Sequence, residues 1–155
     1  MDVESEQTKL LETCRELGVA TVCYSPLGRG MITGQYKSRD DFEEGDFRLM
    51  SPRFSEENFP KNLKLVHQLQ EIANKKGCTN GQLCLAWLLK QGNDIIPIPG
   101  TKKIKYLEEN LGALDVMLSD DEVAEIRKLI EATEVHGGRY PPGFMKSLFA
   151  DTPEL

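Results

Sequence analysis

Two short stretches carry residue types and spacings that could do chemistry: Tyr24-Ser25-Pro26-Leu27-Gly28-Arg29-Gly30 and Gly100-Thr101-Lys102-Lys103. Both combine glycine, which lets backbone approach a ligand closely, with hydroxyl and basic side chains, a mixture suited to holding an anion such as a phosphate. In the second stretch a helix is expected to open just after the lysines and to close near Asn110 to Gly112. Its first N–H groups lack partners within the helix and would point at a negative group. The alternative is a surface loop whose lysines touch only water. In the first stretch, Ser25 and the backbone around Gly28 to Gly30 could donate to a phosphate, and Tyr24 could offer its ring to a planar group. The alternative there is a glycine-rich turn beside a core tyrosine. Arg29, between two glycines, is poorly placed for core packing and well placed for an anion or a carboxylate.

Other chemistry has weaker support. His67 falls in a helical pattern beside Val66 and Leu69, where a solvated or partly buried imidazole is the usual case. His136 stands in a glycine-rich tail with no carboxylate and serine or cysteine at a triad-like spacing. The clusters Asp40-Asp41, Glu43-Glu44, Glu56-Glu57 and Asp120-Asp121-Glu122 read as solvated or helix N-terminal charge. Cys14, Cys23, Cys78 and Cys84 show no paired CxxC spacing and sit mostly among apolar residues, which points to reduced, buried thiols rather than disulfides or zinc ligands. A net charge of -6 argues against nucleic-acid or membrane-surface partners. No run of 18 apolar residues is present, and the opening MDVESEQTK lacks the apolar stretch of a secretory signal, so a cytoplasmic location is expected.

The elements that must position these stretches follow from periodicity. A helix is expected over about Glu4 to Leu17, turning Leu10, Leu11, Cys14 and Leu17 inward and stopped by Gly18. Val19 to Tyr24 and Ile95 to Ile98 are short apolar runs rich in β-branched residues, expected as strands buried on both faces. Pro97 inside the second gives no ladder donor, so that strand pairs on one side only at that point or ends early. Residues 27–60 hold Gly28, Gly30, Gly34, Gly45, Pro52 and Pro60 among mixed charges and form a long irregular excursion, of the kind that serves as a lid or binding loop or else is disordered. Leu63, Val66, Leu69, Ile72 and Ala73 mark a helix ending at Lys75-Lys76-Gly77. Thr79 with Gln82 and Ser119 with Glu122 have the form of capping boxes opening two more helices. Strands alternating with helices imply βαβ units and a parallel sheet in one domain over 1–155. Two strands buried on both faces cannot make a sheet without exposing both edges, so this chain is expected to be part of a larger α/β fold or to pair with another chain.

The segments GVATVCYSPLGRGMITG, GCTNGQLCLAWLLKQG, IIPIPGTKKIKYLEENLGAL and GGRYPPGFM, in this order, resemble the C-terminal half of an aldo-keto reductase. The resemblance implies the last two strands, with their helices, of an eight-stranded (β/α)8 TIM barrel that is incomplete in this chain. It also implies an NADPH-dependent oxidoreductase that reduces aldehydes or ketones by hydride transfer. Tyr24 would stack on the nicotinamide, and Ser25, Leu27, Gly28 and Arg29 would line the pyrophosphate. Gly100, Thr101 and Lys102 would meet the adenosine 2'-phosphate, with Tyr106 beside it and Glu109 and Asn110 holding the adenine. The excursion from Met31 to Pro60 would fold over the cofactor, and the tail from Arg139 to Phe149 would form part of the carbonyl substrate's pocket. The family's catalytic Asp, Tyr, Lys and His lie on earlier strands, so no catalytic residue is assigned here and the chain is expected to be truncated. Open barrel edges would favour self-association. The alternatives are a non-catalytic nucleotide-binding or regulatory module, or an inactive fragment.

Overall fold

The structure is a computed structural model and describes residues 4–6, 8–145 and 148. Two strands, β1 (Thr21–Cys23) and β2 (Ile95–Pro97), pair in parallel with Thr21 opposite Ile95 and Cys23 opposite Pro97. The ends of the ladder are fixed by the Thr21 N–H donating to the Asp94 carbonyl at 2.7 Å and the Ile98 N–H donating to the Cys23 carbonyl at 3.1 Å. Backbone groups of successive strand residues point to opposite edges, so Ile96 and Ile98 face β1 while Ile95 and Pro97 face away. Pro97 therefore costs the ladder nothing, because its nitrogen lies on the open edge.

Burial of the strands on both faces is not what the structure shows. Ile95 is 3% exposed, but Val22, Ile96 and Ile98 are 56%, 46% and 51% exposed. Alternation puts these last three on one face, and the helices of the described chain pack only against the other.

Helix α1 (Leu10–Glu16) is shorter than its expected span. Lys9 before it is in the left-handed region at φ 45°, and of the expected inward residues only Leu11 is buried, Leu10 and Leu17 being 40% and 72% exposed. Gly18, at φ +67°, follows its end as expected. Arg15 ties the helix to the entry of β2 by donating to Asp94 at 2.7 Å and to the Gln91 carbonyl at 2.8 Å. The same guanidinium holds the Asp94 carboxyl below the usual range.

Helix α2 (Asn58–Lys76) runs between two apolar clusters. Its Leu69, Ile72 and Ala73 pack with Leu83, Ala86, Trp87 and Leu88 of α3 (Asn80–Leu89), with Ile95 of β2, and with Leu118 and Ile126, the latter from α5 (Asp120–Glu131). Its Phe59, Leu63 and Val66 pack with Met31, Phe42 and Phe54 of the long excursion. That excursion is ordered, with 3-10 turns at Gly28–Thr33, Arg39–Asp41, Phe47–Met50 and Pro52–Phe54. The reason is its aromatic content: the Phe42, Phe54 and Phe59 rings lie 5.5 to 5.7 Å apart and give the segment a core of its own. Both capping boxes form, Thr79 with Gln82 opening α3 and Ser119 with Glu122 opening α5. Helix α4 (Ile104–Leu111) follows β2, and a short α6 (Pro142–Met145) lies in the tail.

Candidate functional site

A cleft of about 770 Å³ opens just beyond the C-terminal ends of β1 and β2, where parallel α/β folds gather their ligands. Its floor and one wall come from the chain leaving β1, Tyr24 to Leu27 with Arg29 and Gly30, and the opposite wall from the chain leaving β2, Ile98 to Thr101, with α4. Of the residues singled out in the sequence, Tyr24, Ser25, Leu27, Arg29, Gly100, Thr101, Tyr106, Glu109 and Asn110 all line it. Gly28 and Lys102 do not; Lys105 does.

The turn after β1 is tightly wound. Ser25 and Arg29 take φ values of 50° and 58°, in the left-handed region that side chains rarely adopt, at a cost on the order of 1–2 kcal/mol each. Gly30, at φ +88°, is closed to larger residues, since a Cβ there would sit 3.0 Å from the Tyr36 ring. This winding corrects one expectation. The Gly28 and Gly30 N–H groups do not face a ligand, because the turn uses them on the carbonyls of Ser25 and Leu27, each at 3.0 Å.

Arg29 is also committed. Its Nη1 donates to the Ser51 hydroxyl at 2.9 Å and to the Arg139 carbonyl at 2.8 Å, and its guanidinium lies 4.6 Å from the centre of the Tyr140 ring. It contributes positive charge to the cleft while holding the tail against the excursion. A second arginine, Arg48, was not singled out in the sequence. Asp46 grips it through contacts of 2.6 and 3.0 Å, and it stacks 4.3 and 4.4 Å from the Tyr36 and Phe42 ring centres, so its cation faces the cleft in one fixed pose. Arg48 holds the Asp46 carboxyl below the usual range, and that carboxylate raises the guanidinium further. Only the short Asp46-Phe47-Arg48 spacing marks the pair in sequence, and its meaning depends on the aromatic cluster beneath it.

On the other side, the Lys103 N–H donates to the Thr101 hydroxyl at 3.1 Å, and α4 begins without a side-chain cap. Lys105, Tyr106, Glu109 and Asn110 present one face of α4 to the cleft, as residues four apart on a helix must. Glu109 is set by the neighbouring helix: the Thr79 hydroxyl, which caps α3, donates to its carboxylate at 2.8 Å, and Gln82 donates to its carbonyl at 3.1 Å. The Tyr106 hydroxyl reaches across to Gln35 of the excursion at 3.3 Å.

The tail closes the Tyr24 end. Arg139 donates to the Tyr24 hydroxyl at 2.6 Å. Buried Asn62 of α2 places the tail, donating to the His136 and Arg53 carbonyls at 2.9 and 3.0 Å and accepting from the His136 N–H at 2.8 Å. Gly137, at φ +86°, fits so closely that a Cβ would meet the Pro52 carbonyl at 2.7 Å. Residues 146, 147 and 149 of the expected pocket segment lie outside the described residues.

His67 and His136 are not in the lining. The four cysteines are free, with burial pushing the Cys84 thiol up to about 12. Among the described residues there is no metal-binding group of histidine, cysteine or carboxylate side chains, and no helix is long and apolar enough to cross a membrane.

The sequence profile of the Aldo/keto reductase family matches residues 2–131. This chain belongs to the aldo/keto reductase family. Over its whole length the aldo/keto reductase chain is 55% identical to the NADP(+) aldo-keto reductase yakc of Schizosaccharomyces pombe (strain 972 / ATCC 24843) and 56% identical to the aldo-keto reductase str7 of Strobilurus tenacellus. It spans about half the length of these relatives, 46% of each. Among solved structures, the glycerol dehydrogenase AKR11B4 of Gluconobacter oxydans matches with a TM-score of 0.70 at 21% identity, covering 88% of this chain and 41% of that one. The thermostable aldo-keto reductase Tm1743, solved with the inhibitor epalrestat, matches with a TM-score of 0.54 at 31% identity over 82% of this chain and 35% of its own.

Proposed function

We propose that this chain is the part of an NADPH-dependent aldo/keto reductase that holds the cofactor, and that its two strands and their helices belong to a (β/α)8 barrel. The observation carrying this reading is convergence: Tyr24 to Leu27 with Arg29, and Ile98 to Thr101 with Lys105, Tyr106, Glu109 and Asn110, some seventy positions further on, share one cleft beyond two parallel strand ends. The cleft suits an extended dinucleotide in volume and in charge, since sites of roughly 300–1,000 Å³ take ligands of that order. Tyr24, half-exposed at the strand end, offers its ring to the nicotinamide. Ser25 and Leu27, with the cations of Arg29 and Arg48, face the pyrophosphate. Gly100, Thr101 and Lys105 meet the 2'-phosphate, with Lys105 in the role that sequence alone assigned to Lys102. Tyr106 flanks it, and Glu109, set by Thr79, holds the adenine with Asn110.

NADPH, when bound, supplies the hydride that reduces an aldehyde or ketone. This chain's residues orient it and fix its charge. Tyr24 is not assigned as the proton donor, because its hydroxyl is engaged by Arg139 and its motif is the cofactor-stacking one. The proton and the remaining catalytic groups come from residues outside this chain. Titrating NADPH into the purified chain while following nicotinamide fluorescence, then assaying 4-nitrobenzaldehyde, tests both halves of the reading. Binding without turnover is the expected result. Turnover would overturn the assignment of chemistry elsewhere, and absence of binding would overturn the cofactor site.

A further inference from the structure

The tail beyond α5 is tied down through its backbone by side chains from three separate elements. Asn62 of α2 donates to the His136 carbonyl at 2.9 Å, Arg53 of the Pro52–Phe54 turn to the Gly137 carbonyl at 3.2 Å, and Arg29 of the turn after β1 to the Arg139 carbonyl at 2.8 Å. A backbone held at nearly every peptide has little freedom, so the side chain of residue 139 is aimed rather than adaptable. It is aimed at Tyr24, whose hydroxyl accepts from Arg139 at 2.6 Å in a charge-assisted hydrogen bond. The Arg139 guanidinium carbon lies 5.8 Å from the Tyr24 ring centre, against 4.6 Å for Arg29 on Tyr140. The cation therefore sits toward the hydroxyl edge and does not cover the ring face. Tyr24 lines the cleft, whereas Arg139 stands outside the lining. The Tyr24 ring is half-exposed at the end of a two-stranded ladder, and Ser25 after it turns into the left-handed region, so packing alone does not hold the ring.

We propose that Arg139 is a positioning residue for the nicotinamide: it acts through Tyr24, holding the ring in the pose on which the nicotinamide stacks. The inference rests on the cofactor reading above. A ring already held in its stacking pose loses less freedom when the nicotinamide arrives, so the complex is tighter for it. Arg29, which faces the pyrophosphate in that reading, also holds the Arg139 carbonyl. One run of contacts, Arg29 to Arg139 to Tyr24, thus joins the diphosphate end of the cleft to its nicotinamide end.

Isothermal titration calorimetry on the whole chain tests this with two nucleotides, NADPH and adenosine 2',5'-bisphosphate, the second carrying the adenosine and 2'-phosphate but no nicotinamide. Arg139→Met, which keeps the side chain's reach and removes its donors, should weaken NADPH about fivefold, the scale of one stacked aromatic contact, and leave the bisphosphate within about twofold. Arg139→Lys, which still donates, should recover most of that loss. Tyr24→Phe keeps the ring and removes the acceptor, so it should show the same NADPH-only loss, and Arg139→Met should add nothing in its background. Equal weakening of both nucleotides would reduce Arg139 to a structural role and overturn the proposal, as would NADPH binding indifferent to Arg139→Met. Should Arg139→Met lose the parent's far-UV circular dichroism, Tyr24→Phe decides: a selective loss of NADPH supports the proposal and unchanged NADPH affinity refutes it. A parent chain that does not bind NADPH refutes the cofactor reading and this inference together. A parent that binds it without regard to Arg139 refutes this inference alone.

Discussion

At the scale of single residues, charge placement governs the cleft. Lys105 lines it and Lys102 does not, although both follow Gly100-Thr101 closely. Lys105→Ala should weaken NADPH by about tenfold, or roughly 1.4 kcal/mol, and NADH far less, with Lys102→Ala changing neither appreciably. Fluorescence titration of both nucleotides checks this, and equal losses for the two nucleotides would remove Lys105 from the phosphate. Asp46 carries a pH consequence. Its folded-state carboxyl lies below the usual range because Arg48 donates to it, so the ionised pair stabilises the fold above an ordinary aspartate pKa of about 3.9. That contribution is lost as pH falls through the depressed folded value. Asp46→Asn should therefore flatten part of the acid-side loss in urea-unfolding stability while leaving the slope near neutrality unchanged. It should also weaken NADPH, because Arg48 loses the carboxylate that fixes its pose.

At the scale of elements, the site depends on joints between segments. Asn62 makes three hydrogen bonds that hold the tail to α2 and to the Pro52–Phe54 turn. Asn62→Ala leaves the Arg53 and His136 carbonyls and the His136 N–H without these partners and should destabilise the chain by about 1–3 kcal/mol in urea. Cleavage near Gly137-Gly138 in limited proteolysis should be faster, with the excursion still protected by its aromatic cluster. Thr79 serves two elements at once, capping α3 and orienting Glu109 of α4. Thr79→Ala should cost on the order of 1 kcal/mol of stability from the lost cap and also weaken nucleotide binding, whereas a cap alone would affect only the first. Measuring both on one variant separates the roles.

At the scale of the whole molecule, α2 belongs to both apolar clusters, so the two should unfold together. Trp87, the single tryptophan, lies in the cluster with β2, and Phe59 in the other. Phe59→Ala should lower stability by about 3–5 kcal/mol as read by Trp87 fluorescence, and a transition unchanged at Trp87 would mean that the clusters unfold independently. What sequence by itself determined was local in origin. The helix stop at Gly77, the capping boxes at Thr79 and Ser119, the two strand runs and the two glycine-bearing turns follow from backbone preference and short-range periodicity, which neighbouring residues decide. The aldo/keto reductase motifs were legible for the same reason, as contiguous strings. Only the tertiary structure decided that the strands are covered on one face, because coverage is set by which helices pack there and not by strand composition. It alone decided that Pro97 is harmless, since this depends on which edge its nitrogen meets. It alone placed Arg48 and Lys105 in the cleft lining, left Lys102 out of it, and engaged the Gly28 and Gly30 N–H groups with carbonyls of their own turn. Those outcomes depend on φ values inside one turn and on aromatic rings arriving from elsewhere in the chain, and neither is written in the spacing of the residues themselves.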